Sequence, residues 1–294
     1  MSNIGKIVQE IIREIEKVIK GKEDKIKVIL ATFFAGGHIL LEDIPGVGKT
    51  TIAKTIAKVL GLEFNRVQFT SDLLPSDILG VNYFDIELKK FVFKKGPIFT
   101  EIFLADEINR ASPKTQSALL EAMEERQISI DGNRFSLSED FFVIATQNPL
   151  EDVGTFPLPI SQIDRFMVSL SIGYPDRESE KMILKRDSIP LLNNFKSKIK
   201  EYKKKAKEIY VDDKIIEIIL NILNFTRSNL FEYGLSTRAG ISIVDMAKSW
   251  ALINEREYVI DEDVVEILPY VATHRLIPKN KTINIIDEII RAVF

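Results

Sequence analysis

The sequence predicts an α/β fold, in which helices cover both faces of a parallel sheet, followed by a smaller all-helical domain. Three observations lead to this prediction. Short continuous apolar runs alternate with amphipathic segments, as buried strands alternate with helices. A glycine-rich loop joins one apolar run to a helix. Near Gly173 to Pro175 the strand-like runs stop while helical periodicity continues, so we expect domains at residues 1–174 and 175–294.

The elements of the first domain are predicted in chain order. Apolar residues recur every three or four positions from Ile4 to Ile19, which predicts an amphipathic helix. A more buried helix, IKVILATFFAG, is closed by Gly36 and Gly37. The segments that follow are predicted as the strand HILLE, the helix KTTIAKTIAKVLG, the strands FNRVQFT and IFLADE, the helix PKTQSALLEAMEE and the strand FFVIATQNP.

Two insertions interrupt this alternation. Residues 80–99 and 126–142 each contain the short alternating segments of a β-hairpin, and the second includes the turn dipeptide Asp131-Gly132. The second domain is predicted from the helical segments DDKIIEIILNILNFTRS, STRAGISIVDMAKSWALIN and DEDVVEILPYVATHRL. The lysine-rich segment KSKIKEYKKKAKE is predicted as a solvated helix face, with nucleic-acid binding as the alternative.

The composition excludes several kinds of site. The 294 residues carry a formal net charge of -3, which is unlike a general polyanion binder. Cysteine is absent, so disulfides, thiol catalysis and thiolate metal sites are excluded. His38 and His274 are far apart in sequence, which disfavours a histidine metal centre. We find neither a signal-peptide pattern nor an apolar stretch long enough to cross a bilayer, and we therefore expect a cytoplasmic protein.

The loop EDIPGVGKT nearly matches the phosphate loop G-x-x-x-x-G-K-[ST], with Asp43 in place of the first glycine. Gly46 and Gly48 keep the two positions where the backbone approaches phosphate, and aspartate tolerates the turn at the strand exit. Lys49 is expected to reach the β- and γ-phosphates, and the Thr50 hydroxyl to bind Mg²⁺. The residues predicted to bind nucleotide in this segment are Pro45, Gly46, Val47, Gly48, Lys49, Thr50 and Thr51.

An acidic pair, Asp106 and Glu107, follows the buried strand IFLAD. A carboxylate at this edge of a sheet can hold Mg²⁺ through its water shell, which is the role predicted for Asp106. The second carboxylate can polarise the attacking water, which is the role predicted for Glu107. An acidic pair at a strand end can also be a solvated loop or a helix cap. Its combination with the phosphate loop favours the catalytic interpretation.

Asn148 stands at the end of the next buried strand, FFVIATQ. From there its amide could orient the water or contact the γ-phosphate. Asn before Pro149 is also a common pair in turns. We favour the functional interpretation.

The motifs LLEDIPGVGKT, GPIF, LADEINRASPKTQSALLEAMEERQ, ATQNP and LPISQIDRFM together resemble the MoxR group of AAA+ ATPases. The resemblance runs from about Ile19 to about Arg275, and its central block is highly specific. Aspartate at the first loop position also occurs in that group. The resemblance implies a P-loop AAA+ module with a helical lid, in which the two inserted hairpins are the helix-2 insert and the pre-sensor-1 hairpin.

The resemblance also assigns roles to residues. VIKG, with Ile19 and Gly21, is similar to the segment that lines the adenine. Asn148 matches sensor 1, and Arg165 in QIDRF matches the arginine finger that acts on a neighbouring subunit's ATP. Arg238 in LSTRAG matches sensor 2 in the helical lid.

Apart from the resemblance, the local sequence supports the roles assigned to Arg165 and Arg238 only in part. An Arg next to an Asp, as at Arg165, can be a surface ion pair that contributes little. Arg238 begins a predicted helix, where a cation is unfavourable, so a distant anion would explain it. Arg110 in DEINRA is a candidate for a γ-phosphate or an interface contact, and the sequence does not decide between them.

The function implied by the resemblance is an ATP- and Mg²⁺-dependent ring, most often a hexamer, that remodels or matures a protein complex. The implied partners are further copies of the chain, a client complex and a protein with a von Willebrand factor A domain. The alternative is a nucleic-acid motor, favoured by the lysines and phenylalanines of ELKKFVFKK, although these lysines could equally protect a strand edge. A nucleotide-binding scaffold without turnover is disfavoured, because Lys49, Thr50, Asp106 and Glu107 are all present.

Overall fold

The computed structural model describes residues 3–149, 153–185, 192–280 and 284–294, with side chains described from Lys6 onward. The side chain of Ile4, which belongs to the predicted first helix, therefore lies outside the described residues. None of the helices in these ranges is both long and apolar enough to span a bilayer.

The N-terminal part alternates strands and helices as predicted. Its elements are α1 (Asn3–Glu16), α2 (Glu23–Ala35), β1 (Ile39–Glu42), α3 (Lys49–Leu60), β2 (Phe64–Gln68), α4 (Pro75–Leu79), β3 (Gly80–Asp85), β4 (Lys90–Lys95), β5 (Ile102–Asp106), a 3₁₀ turn (Ile108–Arg110), α5 (Pro113–Glu125), β6 (Gln127–Ile130), β7 (Asn133–Ser136), β8 (Phe142–Gln147), α6 (Ile160–Ile163) and β9 (Val168–Leu170).

Within the described residues, five strands form one parallel sheet in the order β2-β5-β8-β1-β9. The predicted parallel sheet is confirmed. Strand β9 was not predicted from the sequence, because its three residues are too few to show a pattern and Ser169 interrupts their apolar character. It pairs with β1 through the register Leu40 to Ser169.

Helices cover both faces of this sheet because alternate strand residues enter different cores. Ile102 and Leu104 of β5 face one hydrophobic cluster, which also contains the buried sides of α1, α2 and α3. Phe103 and Ala105 face a second cluster, which contains Leu119 and its neighbours on α5. The continuous apolar runs of the sequence are thus strands buried on both faces.

The C-terminal part contains α7 (Arg177–Leu184), α8 (Lys196–Glu208), α9 (Asp213–Thr226), β10 (Phe231–Tyr233), α10 (Thr237–Ile253), α11 (Asp261–Ala272), a 3₁₀ turn (Thr273–Arg275), β11 (Ile277–Pro278) and α12 (Ile285–Val293). The prediction that this part is all-helical is wrong in one detail. Strands β10 and β11 pair antiparallel, and they are too short to be recognised by alternation. Phe231 anchors the pair because its side chain is buried in the core.

Both predicted hairpins are confirmed. Strands β3 and β4 form the first and β6 and β7 the second, which turns at Asp131 and Gly132 with positive φ at both residues. The hairpins contact each other: the rings of Phe93 and Phe135 stack with centroids 4.1 Å apart. Asn82 also donates a hydrogen bond to Asp131 Oδ2 at 2.6 Å. The two insertions therefore form one continuous structure.

Candidate active site

The glycine-rich loop connects β1 to α3 at the carboxyl edge of the sheet. Gly46 and Gly48 have φ of 88° and 90°, a conformation that favours glycine. Gly48 is the N-cap of α3, so the positive end of the helix faces the loop. Val47 between them turns its side chain into the hydrophobic core and anchors the loop. This combination of exposed backbone and helix N-terminus is suited to binding phosphate.

Lys49 is the first residue of α3 and its ammonium group folds over the loop. Its Nζ donates hydrogen bonds to the carbonyls of Asp43 at 2.7 Å and Ile44 at 3.4 Å. Partial burial lowers the pKa of Lys49, while the nearby Asp43, Asp106 and Glu107 oppose that shift. A cation this close to two loop carbonyls can exchange them for phosphate oxygens with a small movement.

Asp43, which replaces the first glycine of the loop motif, has a structural role. Its buried carboxylate accepts hydrogen bonds from Ser171 Oγ at 2.7 Å, from the Ile172 backbone N–H at 2.6 Å and from the Gly173 backbone N–H at 3.1 Å. We call residues 171–176 the strap, because they lead from β9 to α7. The aspartate thus fastens the phosphate loop to the strap.

The segment predicted to contact adenine packs against the same strap. Lys22 Nζ donates hydrogen bonds to two strap carbonyls at 2.8 and 2.7 Å. Gly21 has φ of 65°, a conformation that favours glycine, and a Cβ there would lie 2.1 Å from Asp176 Oδ2, so a side chain would have to displace that carboxylate. Ile19 is buried in the core. The predicted role of Ile19 and Gly21 remains a prediction.

The acidic pair stands at the end of β5, next to the phosphate loop. Thr146 of β8 connects the two residues: its hydroxyl donates to Asp106 Oδ1 at 2.6 Å and accepts from the Glu107 backbone N–H at 2.9 Å. Glu107 has φ of 56°, an unfavourable conformation for a residue with a side chain. Strained backbone of this kind concentrates at functional sites.

Strand β2 supplies two site residues that sequence reasoning missed. Arg66 donates to Asp106 Oδ2 from Nε at 3.0 Å and from Nη2 at 2.8 Å. Gln68 Nε2 donates to Glu107 Oε2 at 2.7 Å, and Arg110 Nε lies 2.7 Å from the same oxygen. Two polar residues at alternate positions of β2 could have indicated that one face of this strand belongs to a site. The sequence does not show, however, that β2 lies beside β5.

These groups line a cavity of about 330 Å³. Its lining residues are Pro45, Gly46, Gly48, Lys49, Thr50, Thr51, Arg66, Gln68, Asp106, Glu107 and Asn148. The structure therefore brings the phosphate loop, the acidic pair and Asn148 together, as the sequence predicted.

The oxygen donors at this cavity fit Mg²⁺. Thr50 offers a hydroxyl and Asp106 a carboxylate, both of which are hard ligands. Among the described residues, no group of three or more His, Cys, Asp or Glu could hold a metal ion alone. This donor set suits an ion that takes its other ligands from phosphates and water, which is how Mg²⁺ is usually bound.

Arg165 and Arg238 do not line the cavity. Both contact Glu124 near the C-terminal end of α5: Arg165 Nη2 lies 3.0 Å from Glu124 Oε2, and Arg238 binds the other carboxylate oxygen. Arg238 Nη1 also lies 3.6 Å from Asp164. The two predicted arginines are thus together, but they are not among the residues around their own subunit's phosphate loop.

Arg275 joins this group, and sequence reasoning missed it. It is 3% exposed, and its Nε donates to Asp164 Oδ1 at 2.8 Å. Ser236 Oγ, the N-cap of α10, donates to the same carboxylate at 3.0 Å. We call Glu124, Asp164, Arg165, Arg238 and Arg275 the arginine cluster.

The two histidines are neutral structural residues. His38 Nδ1 accepts the Val143 backbone N–H at 3.0 Å, and its Nε2 lies 3.3 Å from the Met123 carbonyl. His274 Nε2 lies 3.1 Å from the Phe166 carbonyl. Burial lowers the pKa of each histidine to about 3.

Comparison with known proteins agrees with this geometry. The profile of the ATPase family associated with various cellular activities (AAA) matches residues 38–168, and the AAA lid domain profile matches residues 226–292.

Relatives match over nearly the whole chain. The chain is 42% identical to the uncharacterized protein YeaC of Bacillus subtilis, over 93% of this chain and 86% of the relative. It is 37% identical to the chaperone MoxR1 of Mycobacterium tuberculosis, over 92% of this chain and 75% of the relative. A crystal structure of a candidate ATPase from Cytophaga hutchinsonii superimposes with a TM-score of 0.91 at 36% identity, over 99% of this chain and 95% of that one.

Proposed function

Because the chain belongs to the MoxR type of AAA+ ATPases and is thus an ATP hydrolase, we propose that it works as a Mg²⁺-dependent ring that remodels or matures a protein complex. One observation carries the proposal. The cavity at the carboxyl edge of the sheet is lined by the phosphate loop and the acidic pair, whereas Arg165 and Arg238 lie outside its lining. A complete site would then need a second subunit.

Within one subunit, the proposed roles follow from position. The loop from Pro45 to Gly48 and the N-terminus of α3 bind the phosphates, and Lys49 neutralises their charge. Thr50 and Asp106 would hold Mg²⁺, which supplies charge stabilisation at the γ-phosphate when it is bound. The segment of Ile19 and Gly21 would contact adenine next to the strap.

Glu107 and Asn148 are the side chains proposed to activate and orient the attacking water. Glu107 Oε2 accepts a hydrogen bond from Gln68 and forms an ion pair with Arg110, so this oxygen has partners that must be exchanged before it can accept the proton of water. Asn148 lies on the same cavity and would orient the water or contact the γ-phosphate.

Arg165 and Arg238 are proposed to act on the ATP of the neighbouring subunit. Their shared partner Glu124 has a side chain that is 38% exposed, so the guanidinium groups can leave it for a phosphate. An arginine supplied from a second molecule is a large electrostatic contribution to phosphoryl transfer.

The joined hairpins are the proposed contact region for a client. Phe91 is 72% exposed and Ile86 is 82% exposed at the end of the first hairpin, where apolar surface suits a protein partner. A partner with a von Willebrand factor A domain remains part of the proposal, as do a hexameric ring and a cytoplasmic location. The proposed domain boundary near residue 174 lies within the strap.

A nucleic-acid-stimulated motor is the second candidate. The exposed Lys90 and Lys94 of β4 lie near exposed Phe91, a combination that nucleic-acid grooves also use. DNA that stimulated ATP hydrolysis, with the stimulation lost as salt rises, would favour this candidate. Stimulation by a protein client alone would favour remodelling.

The proposal is tested with two inactive variants. Arg165→Ala should bind ATP normally and lose roughly a thousandfold in kcat, and Glu107→Gln should also bind ATP but lack the base. Co-expression with two different tags, followed by purification on both, yields rings that contain both chains. Sites that combine an intact Glu107 with a neighbour's Arg165 should restore activity. Doubly tagged rings without activity, or a fully active Arg165→Ala protein, would contradict the proposal.

A further inference from the structure

Arg275 holds the chain on both sides of Arg165. Its Nη2 donates to the carbonyls of Asp164 at 3.1 Å and Phe166 at 2.7 Å, and its Nη1 donates to the Met167 carbonyl at 3.0 Å. Together with the bond from Nε to the Asp164 carboxylate, these contacts fix residues 164–167.

The remaining contact ties the same guanidinium to its own helix. Nη1 also donates to the Val271 carbonyl at the end of α11. Arg275 therefore links the C-terminal helices directly to the peptide units around Arg165. A guanidinium has a planar fork of donors that can make all of these bonds at once, whereas an ammonium group has three donors and no fork.

Asp164 receives further contacts from the C-terminal part of the chain. Ser236 Oγ and Arg238 Nη1 both reach its carboxylate, from the start of α10. Two separate segments of the lid, at α10 and after α11, therefore converge on the residue that precedes Arg165. A movement of the lid must be transmitted to this short segment.

We propose that Arg275 is a positioning residue for the arginine finger, which couples the orientation of the lid to the placement of Arg165 on the neighbouring subunit's ATP. This inference rests on the proposed function, because it requires that Arg165 acts in a second subunit. Arg275 is buried and does not line the phosphate cavity. It acts by fixing the backbone that carries the finger, and misplacement of a catalytic group by about 1 Å can cost about a hundredfold in rate.

A second arginine of the lid provides a matched control. Arg256 forms a bidentate pair with Asp263, and it also donates to the Tyr258 carbonyl at 3.3 Å. The Asp263 side chain is fully buried, so this pair resembles that of Arg275 in chemistry. Arg256 contacts no residue of the arginine cluster. The Arg256 side chain is 24% exposed against 2% for Arg275, so Arg256→Lys reports the general cost of weakening an arginine pair with a buried carboxylate in the lid.

The test uses Arg275→Lys, which retains the charge and loses the fork. We expect unchanged ATP affinity and a kcat lower by about a hundredfold, with Arg256→Lys close to wild type. In doubly tagged rings, Arg275→Lys should regain activity with Glu107→Gln, which supplies an intact finger. It should not regain activity with Arg165→Ala, because both chains then lack a functional finger. A variant that is merely less stable would not regain activity with Glu107→Gln and fail to regain it with Arg165→Ala.

The opposite pattern would overturn the inference: recovery of activity with Arg165→Ala and none with Glu107→Gln. Wild-type kcat in Arg275→Lys, or an equal loss in Arg256→Lys, would overturn it as well. Rings of Arg165→Ala with Glu107→Gln serve as the reference. If these stay inactive, the proposed function fails and the inference fails with it; if they are active, the result for Arg275→Lys decides the inference alone. Should Arg275→Lys not fold, Asp164→Asn removes the negative charge that pairs with Arg275 and one of the two acceptor oxygens, and must give the same pattern.

Discussion

The phosphate cavity and the arginine cluster each contain an arginine paired with an aspartate, but the two arginines differ in their exposure to solvent. In the cavity, Arg66 pairs with Asp106 while its side chain remains 44% exposed. In the cluster, Arg275 pairs with Asp164 while its own side chain is 2% exposed and bonded to several backbone carbonyls. The carboxylates of both pairs are largely shielded, at 11% exposure for Asp106 and 15% for Asp164, so the difference lies in the arginines. The exposed Arg66 can leave its partner for water, whereas breaking the Arg275 pair leaves a buried and uncompensated charge.

This difference separates a region that changes partners from one that keeps them. Lys49 and Glu107 have contacts that a ligand or a water can replace. Arg275 instead donates to the Asp164 carboxylate and to four backbone carbonyls, which hold it in place, although both residues also border a second cavity beside Ser236. The phosphate cavity is therefore arranged to bind and react, and Arg275 to hold in place the segment that carries the partly exposed Arg165.

The largest expected effect tests whether the chemistry belongs to the cavity. Glu107→Gln keeps the shape of the side chain but cannot accept a proton, so kcat should fall by about 100- to 10,000-fold with ATP affinity retained. Phosphate release and binding of a fluorescent ATP analogue measure the two quantities. Turnover at the wild-type rate would mean that another group activates the water.

The second prediction contrasts one cation from each region. Lys49→Ala should weaken ATP binding at least about tenfold, or about 1.4 kcal/mol, because it removes the cation of the phosphate loop. Arg238→Ala should leave the affinity of unassembled subunits unchanged, since Arg238 does not line their cavity. Calorimetry at low protein concentration checks both. An equal loss in the two variants would remove the distinction between the regions.

The third prediction concerns the link from the loop to the strap. Asp43→Gly restores the usual loop motif but removes the acceptor of three hydrogen bonds, so the free energy of unfolding should fall by about 3 kcal/mol. Ser171→Ala removes one donor and should cost about 1 kcal/mol. Urea unfolding of both variants measures the difference. A more stable Asp43→Gly protein would show that the aspartate is not structural.

The smallest prediction uses the two histidines. The pKa of His38 beneath the sheet and of His274 beside the cluster is about 3, below the ordinary 6.5. The unfolded chain therefore binds protons below pH 6.5 while the folded chain does not, and stability falls as the pH falls. From pH 7 to pH 5 each histidine should account for about 2 kcal/mol.

Unfolding measured at several pH values, with His38→Gln and His274→Gln as separate variants, checks this. Each substitution should remove about half of the pH dependence in that window. A slope that neither substitution changes would show that these histidines are not the groups responsible.

The cavity could be predicted from the sequence because its parts are local. Lys49 and Thr50 follow the glycines directly, and the acidic pair ends a strand that the apolar run reveals. Arg66 and Gln68 were not predicted, because their role depends on β2 lying beside β5. The sequence of one strand does not reveal which strands lie next to it in the sheet.

The cluster is the harder case. Arg275 contacts residues more than a hundred positions earlier, across two parts of the fold. By sequence it is one basic residue near the end of a helix, which is ordinarily explained by the helix dipole. The resemblance to a family predicted Arg165 and Arg238, but neither it nor the pattern indicated what holds them.

Helix α5 has a mechanical consequence. Its 13 residues make a rod about 20 Å long. Its N-terminal end follows the turn that begins at Glu107, while its C-terminal end carries Glu124 and continues through Arg126 into the second hairpin. Gln116 stiffens the near end, since its amide donates to the carbonyls of Ile108 and Ala111. A small tilt of α5 at the Glu107 end would thus move the second hairpin together with Glu124, the residue that binds Arg165 and Arg238.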